Sequence, residues 1–278
     1  MIDLHTHSTA SDGTMSPTEL IGYAKEKKLE ALALTDHDTV GGLQEAISAG
    51  DKFGIEVVPG IEISAEYPDS TLHILGYYID FKNKEFLKNI SILQKARTER
   101  NPKIAKKLQA IGINISFEEI VEEAGTGLVG RPHFAQVLLK KGYVKNTKEA
   151  FDKYLKKGAP AYEDKFRFPP GEAISHIIKA GGIPVLAHPS TLNCRTNSDL
   201  ESFVSEMIKY GLRGIETYYA EHSHSQIKLF KHIAEKHNLI LTGGTDFHGK
   251  NIKGVELGIG RGRLHIPYSL LDKMKSML

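Results

Sequence analysis

The chain has 278 residues, 40% hydrophobic and 25% charged, with a net charge of +2; that allows one α/β barrel or two ordinary domains and excludes a polyanion-binding surface over the whole molecule. Its one cysteine, Cys194, excludes an internal disulfide framework and fits a reducing compartment. No long apolar run and no basic-then-apolar leader occur, so the expectation is a soluble, cytoplasmic protein.

In chain order, short apolar runs alternate with amphipathic helical patterns, the signature of βα units. Strands are expected over 2–5, 31–35, 56–63, 72–79, 183–187, 214–218 and 240–243. Between them, Ser16-Pro17-Thr18-Glu19 opens a helix with a capping serine, a proline at the first position and a glutamate three after the cap. Further helices are expected over 39–51, 170–180, 199–210, 223–237 and 267–278. Seven such strands predict a seven-stranded barrel or a curled, mostly parallel sheet. An open doubly wound sheet is the alternative, but no glycine-rich phosphate loop follows the first strand.

Residues 83–168 break the rhythm, with helical patterns and no strand. The expected division is therefore a barrel from 1–82 and 169–278, and a helical insertion over 83–168. Near its start, residues 86–108 are basic, with Lys88, Lys95, Arg97, Arg100, Lys103, Lys106 and Lys107 against Glu99 alone. That stretch reads either as a solvated face or as a collar guiding an anionic substrate. Ser116 and Glu119 mark another capping box.

The strand ends carry the chemistry. The first gives His5 and His7 with Asp12 in the loop beyond, and i, i+2 spacing on a strand puts both imidazoles on one face. The second ends in Asp36-His37, the third leads to Glu62, the fourth carries His73, the fifth ends at His188, and the seventh gives Asp246 and His248. In parallel barrels such ends converge on one mouth. A lone His-x-His means little, but nine candidate ligands at one phase of a βα repeat predict a centre of two or three divalent ions. Imidazole and carboxylate without thiolate suit zinc, manganese or iron. Glu62 is the expected bridge, and Glu62, Asp246 and His248 are the expected catalytic residues. Asp36 reads either as a group orienting His37 or as a backbone acceptor.

Taken in order, these motifs resemble the PHP (polymerase and histidinol phosphatase) superfamily of metal-dependent phosphoesterases. The resemblance implies a distorted (β/α)7 barrel. It also implies one metal held by His5, His7, Glu62 and Asp246, a second by Asp12, His37 and His248, and a third by Glu62, His73 and His188. Many members have histidine where this chain has Asp12, which implies a harder site leaning towards manganese or iron. Leu4-His5-Thr6-His7-Ser8, Ser11-Asp12-Gly13 and Gly130-Arg131-Pro132-His133 look most like the bacterial branch of nucleoside 3′,5′-bisphosphate phosphatases and 5′-to-3′ exonucleases on short RNA.

The expected activity is hydrolysis of nucleotide phosphate esters by a metal-activated hydroxide. The expected partner is a small phosphorylated substrate, a nucleotide or a short 5′-phosphorylated RNA, with neither membrane nor obligate protein partner. Arg131, His133 and His222 are the candidate phosphate contacts, with His133 also a candidate proton donor. Tyr218 and Tyr219 are candidates for base stacking or for core. Three alternatives stand beside this reading. A histidinol-phosphate phosphatase would use the same centre, and a non-catalytic PHP module would bind metal only. An amidohydrolase would commonly bridge its metals with a modified lysine, and no strand-end motif here carries one.

Overall fold

A computed structural model describes residues 1–68 and 70–278. Seven strands, β1 (Ile2–Thr6), β2 (Ala31–Leu34), β3 (Glu56–Ala65), β4 (Leu72–Tyr77), β5 (Ile183–Leu186), β6 (Gly214–Tyr219) and β7 (Ile240–Gly244), pair in chain order. β7 returns to β1, where Asp246 N–H donates to His5 O and His7 N–H to Phe247 O, both at 2.9 Å. The result is a distorted, nearly closed (β/α)7 barrel. Among the described residues no helix is long and apolar enough to cross a membrane.

Parallel pairing holds for all neighbours except those of β4, which is antiparallel to both β3 and β5. The cause is the length of the connection. Only six residues, 66–71, join β3 to β4, and a parallel crossover needs about a dozen or more. β4 therefore starts at the rim where its neighbours end, and His73 pairs in register with Ser64 of β3.

The helices α1 (Pro17–Glu26) and α2 (Leu43–Phe53) pack outside β1 to β3. α1 carries the expected capping box from Ser16 and Glu19. α2 begins four residues later than expected, because Thr39 Oγ1 accepts the Gly41 N–H and closes a turn ahead of Gly42. The later helices are α7 (Pro170–Lys179), α8 (Asn197–Lys209), α9 (His224–Lys236) and α10 (Ser269–Lys275). Leu270, Leu271 and Met274 of α10 join Ile2, Leu4, Ala33, Val58, Leu75, Tyr77 and Val185 in one buried cluster, so α10 closes one end of the barrel.

The helical segment holds α3 (Lys84–Ala110), α4 (Phe117–Ala124), α5 (Arg131–Lys140) and α6 (Thr147–Ala150), which runs on into one wider turn over Phe151–Leu155. Ile104, Leu108, Ile120, Phe134, Leu138 and Leu155 form a core of their own. Phe86, Ile90 and Leu93, in the first half of α3, instead pack into the main core. One long helix thus belongs to both cores and fixes the insertion over the barrel rim.

Candidate metal centre and phosphate pocket

At the end of the barrel away from α10, Glu62 is fully buried and surrounded by imidazoles. Its Oε2 is 3.3 Å from His5 Nε2 and His7 Nε2 and 2.8 Å from His37 Nδ1. Its Oε1 is 2.7 Å from His73 Nδ1 and 2.8 Å from His188 Nε2. Asp246 Oδ1 lies 3.3 Å from His5 Nε2 and 3.0 Å from His7 Nε2. Asp12 Oδ1 lies 3.3 Å from His248 Nε2. The structure thus brings all nine expected ligands together. Three groups within it have ligand atoms no more than 4.8 Å apart: His5, His7, Glu62 and Asp246; His7, Asp12, His37 and His248; and His37, Glu62 and His73. Local backbone makes this possible. The pairing register slips between Asp3 and Thr6, so Leu4 faces the apolar cluster while His5 and His7 both face Glu62; re-aiming side chains is what such irregularities do.

The donor set fits divalent ions. Among the described residues, ten buried side-chain polar atoms lack a hydrogen-bond partner. Seven are here: His5 Nε2, both nitrogens of His7, Asp12 Oδ1, His37 Nδ1, Glu62 Oε2 and Asp246 Oδ1. Buried polar atoms are rarely left unpaired, because the desolvation cost is not recovered. Here each of these side chains offers a lone pair towards common points, one nitrogen serving in each imidazole. The electrostatics agree. Burial alone would push the Glu62 carboxyl up, but His73, His37 and His5 hold it well below the ordinary range. Burial, then His248 and His37, pushes His7 down to about 3. Against burial, Asp12 and Asp246 raise His248 to about 10. The carboxylates draw positive charge inward, as a cation-binding site must.

A further layer of carboxylates braces the ligands, and most of it is invisible in the motifs. Asp3 accepts Thr245 N–H at 2.9 Å and Thr245 O–H at 2.6 Å, tying β1 to the segment that carries Asp246. Asp36 accepts Ser8 N–H at 2.8 Å and Ser8 O–H at 2.7 Å, so it stiffens the loop leading to Asp12 rather than orienting His37. Tyr219 O–H donates to Asp246 Oδ2 at 3.1 Å, so its hydroxyl braces that carboxylate. Asp38, His188 and Asp246 all have positive φ (54°, 24° and 55°). Left-handed backbone at non-glycine residues is costly and clusters at functional sites.

Beside this centre lies a cavity of about 350 Å³. Asp12, His37 and His73 form one wall, and Arg97, Arg100, Arg131, Lys156, Lys165 and Arg167 come from the insertion and its return to the barrel. The basic stretch of α3 is therefore two-faced: Arg97 and Arg100 are buried, while its lysines look outward. Asp38 Oδ2 takes Arg97 Nε at 2.8 Å and Lys165 Nζ at 3.3 Å. Arg100 donates to the neutral amide oxygen of Asn101 at 2.7 and 3.0 Å. Arg131 lies over the Phe151 and Tyr162 rings and donates to Leu155 O. Positive charge exceeds local carboxylate, which is how a seat for anionic oxygens is built.

A match to the model of the PHP domain spans residues 3–162, more than half the chain. The chain belongs to the PHP family. A 3′,5′-nucleoside bisphosphate phosphatase from Chromobacterium violaceum is 34% identical, aligning over 92% of this chain and 90% of its own length. A 5′-3′ exoribonuclease from Haemophilus influenzae is 33% identical over 91% and 95%. A structure described as a metal-dependent phosphoesterase from Bifidobacterium adolescentis superposes with a TM-score of 0.89 at 27% identity, covering 99% of this chain and 95% of that one. An amidohydrolase from Chromobacterium violaceum, solved with bound sulfate and no metal, superposes with a TM-score of 0.84 at 34% identity, covering 90% and 88%. This PHP protein is a metal-dependent phosphoesterase, a hydrolase of phosphate esters, and Glu62 is the carboxylate common to two of its three candidate ligand groups.

Two expected phosphate contacts are engaged by backbone groups through Nδ1 in this PHP structure. His133 is 4% exposed and its Nδ1 accepts the Gly130 N–H at 2.9 Å, so the ring caps the start of α5 and does not line the cavity. His222 takes up Thr217 O through Nδ1 at 3.0 Å and borders a separate cavity with Arg261 and Arg263. Arg131 alone of the three lines the cationic cavity. Arg97, Arg100, Lys165 and Arg167 line the cavity as well; a basic helix and a basic loop do not show in the sequence which cations turn inward.

Lys165 makes the pocket sensitive to pH. Burial, only partly offset by Asp38, pushes its ammonium down from 10.5 to about 7. An anion binds the protonated form better, and sulfate stays dianionic, so sulfate affinity should fall as pH rises from about 6 to about 8.5. In Lys165→Met that slope flattens; a wild-type affinity independent of pH, measured by titration calorimetry, would contradict this.

Proposed function

We propose that this enzyme removes a phosphate from a nucleotide that carries a second one, with a nucleoside 3′,5′-bisphosphate as the small substrate and short 5′-phosphorylated RNA as the longer one. The observation that carries the reading is the shared wall: Asp12, His37 and His73 belong both to the ligand cluster and to the cationic cavity. An ester at the cluster therefore has a seat for another phosphate beside it.

In this reading His5, His7, Asp12, His37, Glu62, His73, His188, Asp246 and His248 hold two or three divalent ions, manganese, iron or zinc. Bound there, such ions supply an activated water and neutralise charge on the reacting phosphate. The chain's own residues do the rest. Glu62 and Asp246 keep the imidazoles aligned. Arg131 and Arg100 hold the non-reacting phosphate, and Lys165 adds charge on the same side. Fixing the phosphorus in line is most of what a protein contributes to phosphoryl transfer. Residues 83–168 then act as the substrate-holding insertion, and 1–82 with 169–278 as the metal-holding barrel. A nucleotide substrate and the single Cys194 favour a cytoplasmic enzyme. Histidinol phosphate fits less well, since its ammonium would face the same arginines.

The test is phosphate release by the metal-reconstituted enzyme from adenosine 3′,5′-bisphosphate, 5′-AMP, histidinol phosphate and a 5′-phosphorylated RNA trimer. The bisphosphate or the RNA should be preferred. Arg131→Ala should raise KM for the bisphosphate by about 10- to 100-fold, the worth of one or two charged hydrogen bonds, with a smaller effect on 5′-AMP. Preference for histidinol phosphate, or an equal loss on both nucleotides, would overturn the reading.

A further inference from the structure

Of the seven strands, β6 alone has none of the nine expected ligands either on it or within four residues of its C-terminal end, yet Glu216 on it is fully buried. Both of its oxygens are engaged at the centre. Oε1 lies 3.0 Å from His5 Nδ1, and Oε2 accepts the backbone N–H of His188 at 2.6 Å. A carboxylate on Nδ1 keeps the proton there, which leaves the Nε2 lone pair of His5 free. That Nε2 lacks a hydrogen-bond partner and is aimed between Glu62 and Asp246, 3.3 Å from each. The other contact addresses a strained residue: His188 sits at φ 24° and ψ 65°, and its N–H is fixed by Glu216 while its Nε2 reaches Glu62 Oε1 at 2.8 Å. The two imidazoles stack with ring centres 5.7 Å apart.

We propose that Glu216 is the positioning residue of the metal centre, setting the His5 tautomer and the His188 backbone with one carboxylate. The inference rests on the metal-binding reading of the nine ligands. Both groups facing Glu216 are donors, so both of its oxygens must accept. A glutamine offers one acceptor and one donor. In Glu216→Gln, either His188 N–H faces an amide N–H, or His5 takes the tautomer with its proton on Nε2, whose lone pair is then no longer open to a metal. A purely structural carboxylate joining β1, β5 and β6 would instead affect the metal-free fold.

The experiment compares wild type, Glu216→Gln and His5→Ala as full chains stripped of metal and titrated with Zn²⁺ and Mn²⁺ by calorimetry, with melting temperatures of the metal-free forms. Glu216→Gln should bind about 10- to 100-fold more weakly, as other groups that orient metal ligands do, while melting close to wild type without metal. His5→Ala should lose a site. In the zinc-loaded wild type, long-range ¹H–¹⁵N spectra should show His5 ligated through Nε2 with the proton on Nδ1. Unchanged affinity in Glu216→Gln, or a loss that only tracks a lower metal-free melting temperature, overturns the proposal. His5 ligated through Nδ1 overturns it even if the variant does not fold. If His5→Ala also binds like wild type, the metal centre itself has been misplaced.

Discussion

Glu62→Gln should abolish metal-dependent phosphate release and empty more than one metal position at once. The carboxylate sits between two sets of imidazoles, with Oε2 facing His5, His7 and His37 and Oε1 facing His73 and His188. It is common to two of the three ligand groups. Losing the charge removes several kcal/mol of the stabilisation such centres supply, about 10³-fold or more in rate. Asp12→Ala removes a ligand from a single group, that of His7, His37 and His248, so it should lower metal content by about one ion fewer than Glu62→Gln does. Elemental analysis of both variants beside kcat checks this. Equal metal loss in the two would mean that Glu62 bridges nothing.

Asp38→Ala should destabilise the ligand-free protein by about 3–5 kcal/mol, because removing one partner of a buried pair strands the other. Here two cations are stranded. Arg97 and Lys165 both meet Asp38 Oδ2, and Ser64 N–H donates to Oδ1 at 2.7 Å. The carboxyl is held well below its usual range by Lys165 and Arg97 despite full burial. A depressed carboxyl pKa contributes stability above its unfolded value, about 3.9, and loses it only as pH falls through the lower folded value. The effect should therefore be full at neutral pH and shrink in acid. Urea unfolding at two pH values measures it. Saturating sulfate should recover part of the loss, because an anion that binds only the folded state stabilises by mass action. A loss below about 1 kcal/mol, or no response to sulfate, would show that the two cations find other partners.

These two carboxylates join the halves of the molecule. Glu62 ends the barrel's chemistry at its rim, and Asp38, one residue beyond His37, anchors Arg97 of α3 and Lys165 of the returning segment. The same loop thus carries the candidate ligand His37 and the bracket for the helical insertion. Displacing the insertion would disturb His37 directly.

What the linear order of residues determined was the part of the protein built from local repeats. The seven strands, the capped helices at Ser16 and Ser116, and the nine candidate ligands were legible because each depends on neighbours a few positions away: alternation along a strand, a cap three residues ahead of its glutamate, a histidine at the end of a βα unit. The tertiary structure decided everything that depends on distant partners. A six-residue connection reversed β4 and brought His73 to the rim from the start of its strand. Glu216 reads in the sequence as one more strand residue, and becomes a clamp only because His5, 211 positions away, folds against it. Arg97 and Arg100 look like their lysine neighbours until α3 packs and turns them inward. His133 and His222, attractive on composition, are claimed by backbone groups of their own segments. Spacing along a chain encodes which face a side chain takes; which groups meet across that face is set by packing and by the cost of leaving any of them buried and unpaired.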